Sequence, residues 1–135
     1  MNILDNIRIK KFLDNHEIKN YTINDDLTID VDGDVNLQEK NLKTIPVQFG
    51  IVNGDFNVSY NQLTSFEHCP DSLKVLNCSN NKLTSLKGCP TGMKELNCGD
   101  NNQLTSLEHC PKGFLETLYC DDNPGKFTQE DKTNI

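Results

Sequence analysis

Two histidine–cysteine pairs are the residues whose types and spacing first suggest chemistry in this 135-residue chain. His68 precedes Cys69 and His109 precedes Cys110, and an imidazole beside a thiol is the arrangement that activates a cysteine nucleophile. The members of each pair are direct neighbours, however, and Gly88 fills the same place in the intervening segment. We therefore predict adjacent turn residues. Because the sequence also holds no phosphate-binding glycine-rich loop and no catalytic triad signature, we predict a protein that is not an enzyme.

Three alternating aspartates are the second candidate for chemistry. Asp30, Asp32 and Asp34 have the spacing that opens an EF-hand calcium loop. Such a loop would need Gly at position 35 and Glu at position 41, where Val35 and Asn41 stand. We therefore predict a solvent-facing strand, no metal site and no cofactor, and only weak calcium affinity near these aspartates stays open.

Charged residues near the start of the sequence bear on the compartment. Asp5, Arg8, Lys10 and Lys11 interrupt every apolar run there. A secretory signal peptide needs an unbroken apolar segment, and a membrane span needs about 18 apolar residues. We expect neither, and so we expect a cytoplasmic location in which the six cysteines remain thiols.

Composition and charge exclude some partners. Hydrophobic residues make up 35% of the chain, and the 8 glycines raise this to about 41%, below the ~45–50% typical of globular domains, so a large round core is not expected. The 13 basic and 20 acidic residues give a net charge of −7. Because binding to phosphates requires clustered Lys and Arg, we expect no direct nucleic-acid binding and no membrane surface.

A repeat of 20 to 21 residues organises most of the chain. Its register is marked by asparagines at these spacings: Asn41, Asn61, Asn81, Asn102 and Asn123. Apolar residues keep the same period in columns that include Val35, Phe56, Leu76, Leu96 and Leu118. From Leu73 to Leu83 the pattern is L-x-x-L-x-C-x-x-N-x-L. Self-similarity at this period predicts a solenoid of stacked turns.

The cysteines form two columns of this repeat. Cys78, Cys98 and Cys120 stand where Leu37 and Val58 stand in earlier units, which predicts small buried hydrophobes. The second column precedes a proline in each unit, at Cys69, Cys89 and Cys110. Because stacked turns lie ~4.8 Å apart and Zn–S bonds are ~2.3 Å long, three successive units could not share one ion.

The pattern resembles the leucine-rich repeat, and the resemblance covers roughly Leu27 to Pro124. The LTSLxxCP segments are also similar to short repeats of tailed-bacteriophage and some bacterial proteins. A unit of 20 to 21 residues leaves no room for a long helix after its strand, and the prolines disfavour one. We predict a horseshoe or arc with a curved parallel β-sheet on its concave face and little helix on its convex face.

Covers are expected at both ends of the solenoid, because each end exposes an apolar cross-section. Near the start, five apolar residues suggest one helical face: Ile3, Leu4, Ile7, Phe12 and Leu13. Strict alternation from Leu27 to Leu37 then predicts one half-buried strand. We divide this single domain into a helical cap (1–26), a solenoid of about five units (27–124) and a cap or tail (125–135).

The residues between the apolar columns should line the concave face. One outward column would hold Asn36, Asn57, Asn77, Asn97 and Tyr119. Stacked asparagines can hydrogen-bond to one another along such a column, and this purely structural interpretation stays open. The functional interpretation is a binding surface, for which we predict Asp34, Asp55, Asn57, Lys74, Asn77, Lys94, Glu95, Asn97, Glu116 and Tyr119.

Three functions are compatible with this surface. The first is a non-enzymatic protein-binding module; the resemblance implies a bacteriophage product that binds or inhibits a host protein in the host cytoplasm. The second is a structural or self-assembling component of a virion. The third is an acidic mimic of nucleic acid, since residues 21–135 carry 9 Lys against 17 Asp or Glu. The identity of the partner and the oligomeric state stay open.

Overall fold

The computed structural model describes residues 3–100, 103–113 and 115–133. Helix α1 (Ile3–Asn15) comes first among the described elements, and the short helix α2 (Gln129–Thr133) comes last. Between them the described residues form eight strands: β1 (Tyr21–Ile23), β2 (Ile29–Val31), β3 (Val35–Asn36), β4 (Phe49–Val52), β5 (Phe56–Asn57), β6 (Val75–Asn77), β7 (Glu95–Asn97) and β8 (Thr117–Tyr119). None of the described helices is long and apolar enough to cross a membrane.

A five-stranded parallel sheet runs through the repeats in the order β3-β5-β6-β7-β8. Its central row pairs one apolar residue from every turn: Val35, Phe56, Leu76, Leu96 and Leu118. The first four are buried and Leu118 is half-buried, so this row is one side of a narrow core. The predicted repeat solenoid, with a parallel sheet and little helix, is confirmed.

Tight turns form the opposite side of the solenoid. The backbone N–H groups of Cys69, Cys89 and Cys110 each donate to a carbonyl three residues earlier, at 3.0 Å. The residue before each cysteine has a positive φ: 69° at His68, 83° at Gly88 and 70° at His109. A left-handed position explains why this place holds glycine in one unit, because glycine adopts it without steric cost.

Buried asparagine amides join successive turns. Asn61 Nδ2 donates to Leu37 O at 2.8 Å and to Val58 O at 2.9 Å, so one side chain serves two turns. Asn81 and Asn123 bind the carbonyls of their own and the preceding turn in the same way. These bonds satisfy backbone groups that would otherwise be buried without partners.

Asn41 does not continue this buried series, and here the predicted register is wrong. It is exposed, and its side chain accepts a hydrogen bond from Gln62. The physical reason is the pairing of β3 with β5, which joins Val35 to Phe56 and Asn36 to Asn57 at an interval of 21 residues, so that Lys40 and not Asn41 stands at the position of Asn61. Asn102, which the prediction also placed in the series, lies outside the described residues.

A second, three-stranded sheet in the order β1-β2-β4 corrects the prediction of one strand from Leu27 to Leu37. That segment forms β2 and β3, which belong to different sheets. The break comes at Asp32 and Gly33, whose N–H groups donate to Asn20 O and Asn53 Oδ1 instead of to a neighbouring strand. The antiparallel pairing of β1 with β2 was not predicted.

Of the predicted face of helix α1, Phe12 and Leu13 pack on the core, together with Ile9, and the other three residues do not. Ile9 and Leu13 are buried, whereas Ile3, Leu4 and Ile7 are 74%, 74% and 57% exposed. At ~100° per residue these two groups lie on opposite sides of the helix, so they could not share one buried face.

The chain after the last repeat is also ordered in its described part. Thr128 and Asp131 cap α2 reciprocally, since each backbone N–H donates to the other side chain. Phe127 packs against the core, and Gly125 N donates to Leu104 O at 2.9 Å. Ile135, in the predicted cap or tail, lies outside the described residues.

Candidate functional site

The parallel register brings the predicted binding residues onto one surface. Asn36, Asn57, Asn77, Asn97 and Tyr119 are direct partners on adjacent strands, in the row that points away from the core. The row before the core row contains Asp34, Asp55, Val75, Glu95 and Thr117. Backbone hydrogen bonds align the next row at Lys74, Lys94 and Glu116. We call this surface, together with the chain that directly follows each strand, the concave face.

The outward asparagines hydrogen-bond within their own turns, not along the column. Asn57 Oδ1 accepts from Ser59 N at 2.9 Å, and Asn77 Oδ1 accepts from Ser79 N at 3.1 Å. Asn97 makes the same bond to Gly99 N. The described asparagines therefore do not form the column of hydrogen bonds that the structural interpretation left open, because the N–H two residues later in the chain lies nearer to each oxygen than the next turn does.

These bonds fix the asparagine amides while leaving their nitrogens on the surface. Asn57 Nδ2 makes only a long bond, 3.4 Å, to Gln38 Oε1. Within the described part of the chain, Asn77 and Asn97 have no acceptor for Nδ2. The face thus presents donors in fixed orientations.

A column of left-handed residues follows the strands and was missed by the sequence analysis. Its members have φ between 55° and 60°: Glu39, Tyr60, Asn80, Asp100 and Asp122. Asn and Asp tolerate this conformation, so the last three positions carry a sequence signal for it. Tyr60 carries no such signal, yet it is 52% exposed and gives the concave face a second aromatic ring in addition to that of Tyr119, which is 51% exposed.

The concave face is strongly acidic. Four ammonium groups, those of Lys40, Lys74, Lys94 and Lys132, stand on it or at its ends among eight carboxylates: Asp34, Glu39, Asp55, Glu95, Asp100, Glu116, Asp121 and Asp122. Among the described residues, the one salt bridge to these carboxylates joins Lys132 Nζ to Asp121 Oδ1 at 3.6 Å. Partial desolvation and then the neighbouring carboxylates of Asp122 and Asp121 raise the pKa of Asp100.

Asp30, Asp32 and Asp34, whose spacing resembles that of a calcium loop, join the first turns of the solenoid to one another. Each accepts a hydrogen bond at one carboxylate oxygen from a donor in the following turn, at 2.7 to 2.8 Å. The donors are Ile51 N for Asp30, Asn53 Nδ2 for Asp32 and Asp55 N for Asp34. The described residues contain no group of three side chains that could hold a metal ion. These carboxylates therefore have a structural role in joining turns.

The histidine–cysteine pairs do not form a nucleophilic site. Cys69 is buried, and burial, helped by the charge of Asp71, raises the pKa of its thiol to about 12. His68 Nδ1 lies 2.6 Å from Ile45 O, so the ring bonds to a backbone carbonyl. All six cysteines are buried thiols, which is unsuited to nucleophilic catalysis near neutral pH.

Comparison with known proteins identifies the central repeats. Residues 71–110 match the family model described as leucine-rich repeats, in two copies. These residues are leucine-rich repeats. No match is found among curated proteins or among solved structures. Leucine-rich repeats are generally protein-binding modules and are typically non-enzymatic.

Proposed function

We propose that this leucine-rich-repeat solenoid is a non-enzymatic module that binds another protein on its concave face. The observation that carries the proposal is the row of outward amides from Asn36 to Asn97, which ends at the exposed ring of Tyr119. Each described strand of the sheet adds one member to this row, so the surface extends over five turns. Leucine-rich repeats generally bind proteins, which supports the same conclusion.

A preformed surface of this kind binds at low cost in conformational entropy. The side-chain oxygens of Asn57, Asn77 and Asn97 are already bonded to their own turns, so the amides need little ordering when a partner arrives. Lys74, Lys94 and Tyr119 would then provide charge contacts and an aromatic anchor, the residue types that dominate many interfaces.

We also propose that the partner is a bacterial host protein met in the host cytoplasm. The support for this setting is the similarity of the LTSLxxCP segments to short repeats of bacteriophage proteins.

The test is an affinity capture from bacterial lysate with matched variants. One variant carries Lys74→Glu, Lys94→Glu and Tyr119→Ala on the concave face. The control carries Lys82→Glu and Lys87→Glu, which make the same charge change at exposed residues outside that face. We expect a protein retained by the wild type and by the control to be lost from the concave-face variant, whose circular dichroism should stay native. Retention by all three would place the interface elsewhere and refute the proposal.

A mimic of nucleic acid is a second candidate, favoured by the eight carboxylates of the concave face. Such a mimic would occupy the basic groove of a DNA- or RNA-binding protein. Its binding should weaken steeply with salt, because exposed charges are screened. Affinity that changes little between low and high salt would exclude this candidate.

A further inference from the structure

Three cysteines of successive repeats occupy the same position of the tight turns on the convex side, opposite the five-stranded sheet. In each turn the cysteine N–H donates to the carbonyl three residues earlier at 3.0 Å. We call these residues, Cys69, Cys89 and Cys110, the convex cysteine column. We propose that this column is an oxidation site, in which Cys69 and Cys89 form a disulfide bond that joins two adjacent turns of the solenoid.

The stacking of the turns brings these two thiols within bridging range. The chain leading into the turns is joined by a backbone bond of 2.9 Å from Lys82 N to Leu63 O. In the turns themselves, a side-chain carbon at Gly88 would lie 4.0 Å from the Cβ of Phe66. Stacked turns lie ~4.8 Å apart, and the Cα atoms of a disulfide lie about 4.4–6.8 Å apart. Burial and then the neighbouring Cys69 raise the pKa of Cys89, which agrees with this proximity.

The other three cysteines, Cys78, Cys98 and Cys120, are held too firmly to form such a bond. Backbone bonds of 2.8 Å run from Cys78 N and Cys98 N to the next turn, so hydrogen bonds fix this column at the spacing of the strands. A disulfide needs its two Cβ atoms about 3.5–4.5 Å apart, which is closer than strands stack. In the convex cysteine column each N–H bond stays within one turn, and adjacent turns can therefore approach one another without losing it.

Exposure and backbone freedom select the pair within the column. Cys89 and Cys69 are 7% and 6% exposed, whereas Cys110 is 3% exposed. Gly88, with a φ of 83°, precedes Cys89 and lets the backbone adjust without the steric cost of a side chain. A small oxidant therefore reaches Cys89 and Cys69 more easily than the third member of the column.

Hydrogen peroxide is an oxidant small enough for this site. The Cys89 thiolate attacks one peroxide oxygen, the O–O bond breaks, and the sulfur becomes a sulfenic acid while the released hydroxide takes up a proton to form water. The Cys69 thiolate then attacks that sulfur, the S–S bond forms, and a second water leaves. Two thiols thus lose two electrons to one peroxide. Because burial raises the pKa of both thiols, the reaction is slow at neutral pH.

The experiment treats the folded, fully reduced protein with hydrogen peroxide at about pH 9, where more of each thiol is ionised. The remaining thiols are then blocked, and disulfides are mapped by mass spectrometry of peptides prepared without reductant. We expect a bridge between Cys69 and Cys89, four of the six thiols left free, and native circular dichroism. The melting temperature should rise by about 10 °C, because closing a loop of about 20 residues restricts the unfolded chain, and a reductant should reverse the rise.

Two matched variants locate the bond. Cys89→Val leaves Cys69 and Cys110 two turns apart, ~9.6 Å, which exceeds the reach of a disulfide, so no bridge should form. Cys110→Val makes the same change in the same column and should leave both the bridge and the rise in melting temperature intact. A bridge between any other pair, a bridge in folded Cys89→Val, or no bridge in the folded wild type and in folded Cys110→Val would overturn the inference.

Discussion

The six buried thiols should make the solenoid unstable in alkaline solution. Burial raises the pKa of Cys69 and Cys98 to about 12 and that of Cys110 to about 11, from an ordinary value of 9.0. Burial also raises the pKa of Cys78, Cys89 and Cys120. In the unfolded chain the thiols ionise near the ordinary pKa. As the pH rises above 9.0, these thiols therefore become charged in the unfolded state while they stay protonated in the folded state.

The size of the effect follows from proton linkage. Stability is fully present below the unfolded pKa and is lost as the pH rises from there towards the folded pKa. One unit above the ordinary value, each thiol that stays protonated in the fold costs about 1.4 kcal/mol. Cys69, Cys98 and Cys110 together cost about 4 kcal/mol near pH 10, and the other three thiols add to this. Small domains have about 5–15 kcal/mol in total, so the loss should be large.

Urea unfolding monitored by circular dichroism, with a reductant present, measures how the free energy of unfolding depends on pH from neutral pH upwards. Cys98→Val should reduce the loss of unfolding free energy near pH 10 by about 1.4 kcal/mol. Val58→Cys, in the same buried column, should increase this loss by the same amount. Ionisation of tyrosine and lysine is common to all three proteins and cancels in the comparison. A free energy of unfolding that stays constant through this range, or parallel curves for the three proteins, would refute the assignment of buried protonated thiols.

Three further substitutions test the fold. Asn81→Ala removes an amide that bonds to Val58 O and Cys78 O, and urea unfolding should show a loss of about 3 kcal/mol, whereas Asn15→Ala, at an exposed position of α1, should change the free energy of unfolding by less than about 0.5 kcal/mol. Leu96→Asp places a charge in the core row and should abolish the native circular dichroism; a native spectrum would mean that the register is wrong. Gly88→Ala forces an alanine into a φ of 83° and should lower the free energy of unfolding by about 1 kcal/mol; no change would contradict the turn geometry.

The repeat period was sufficient to predict the five-stranded sheet. Residues one period apart, such as Phe56, Leu76 and Leu96, are direct partners in the structure. This success has a physical basis, because a parallel stack places equivalent residues of successive turns beside one another, and a narrow core requires them to be apolar.

The three-stranded sheet could not be predicted in the same way. The alternation from Leu27 to Leu37 is equally compatible with one strand or two, and the choice depends on the donors at Asp32 and Gly33. Their acceptors belong to Asn20 and Asn53, which come from a loop and from the next turn. Such contacts leave no periodic signal in the sequence.

The concave face was predicted from its strands but not from the chain that follows them. The ten predicted residues come together because they share the register of the sheet. Tyr60 was missed because its left-handed backbone is imposed by the stacked turns, whose N–H and carbonyl groups continue the hydrogen bonding of the sheet beyond the strand, here from Tyr60 N to Ser79 O at 3.1 Å. Tyrosine itself gives no indication of that conformation.

Three side chains of the proposed binding surface do not take part in the hydrogen bonds that hold the fold, and this is what makes the surface testable. Lys74, Lys94 and Tyr119 make no side-chain hydrogen bond or salt bridge within the described part of the chain, and their backbones are held by the sheet. Replacing such exposed side chains typically changes stability by less than about 0.5 kcal/mol. The asparagines between them differ, because their oxygens bond to the turns and their loss would perturb the fold as well as the surface. A loss of binding in the lysine and tyrosine variant can therefore be assigned to the contact with the partner, whereas the same loss in an asparagine variant could not.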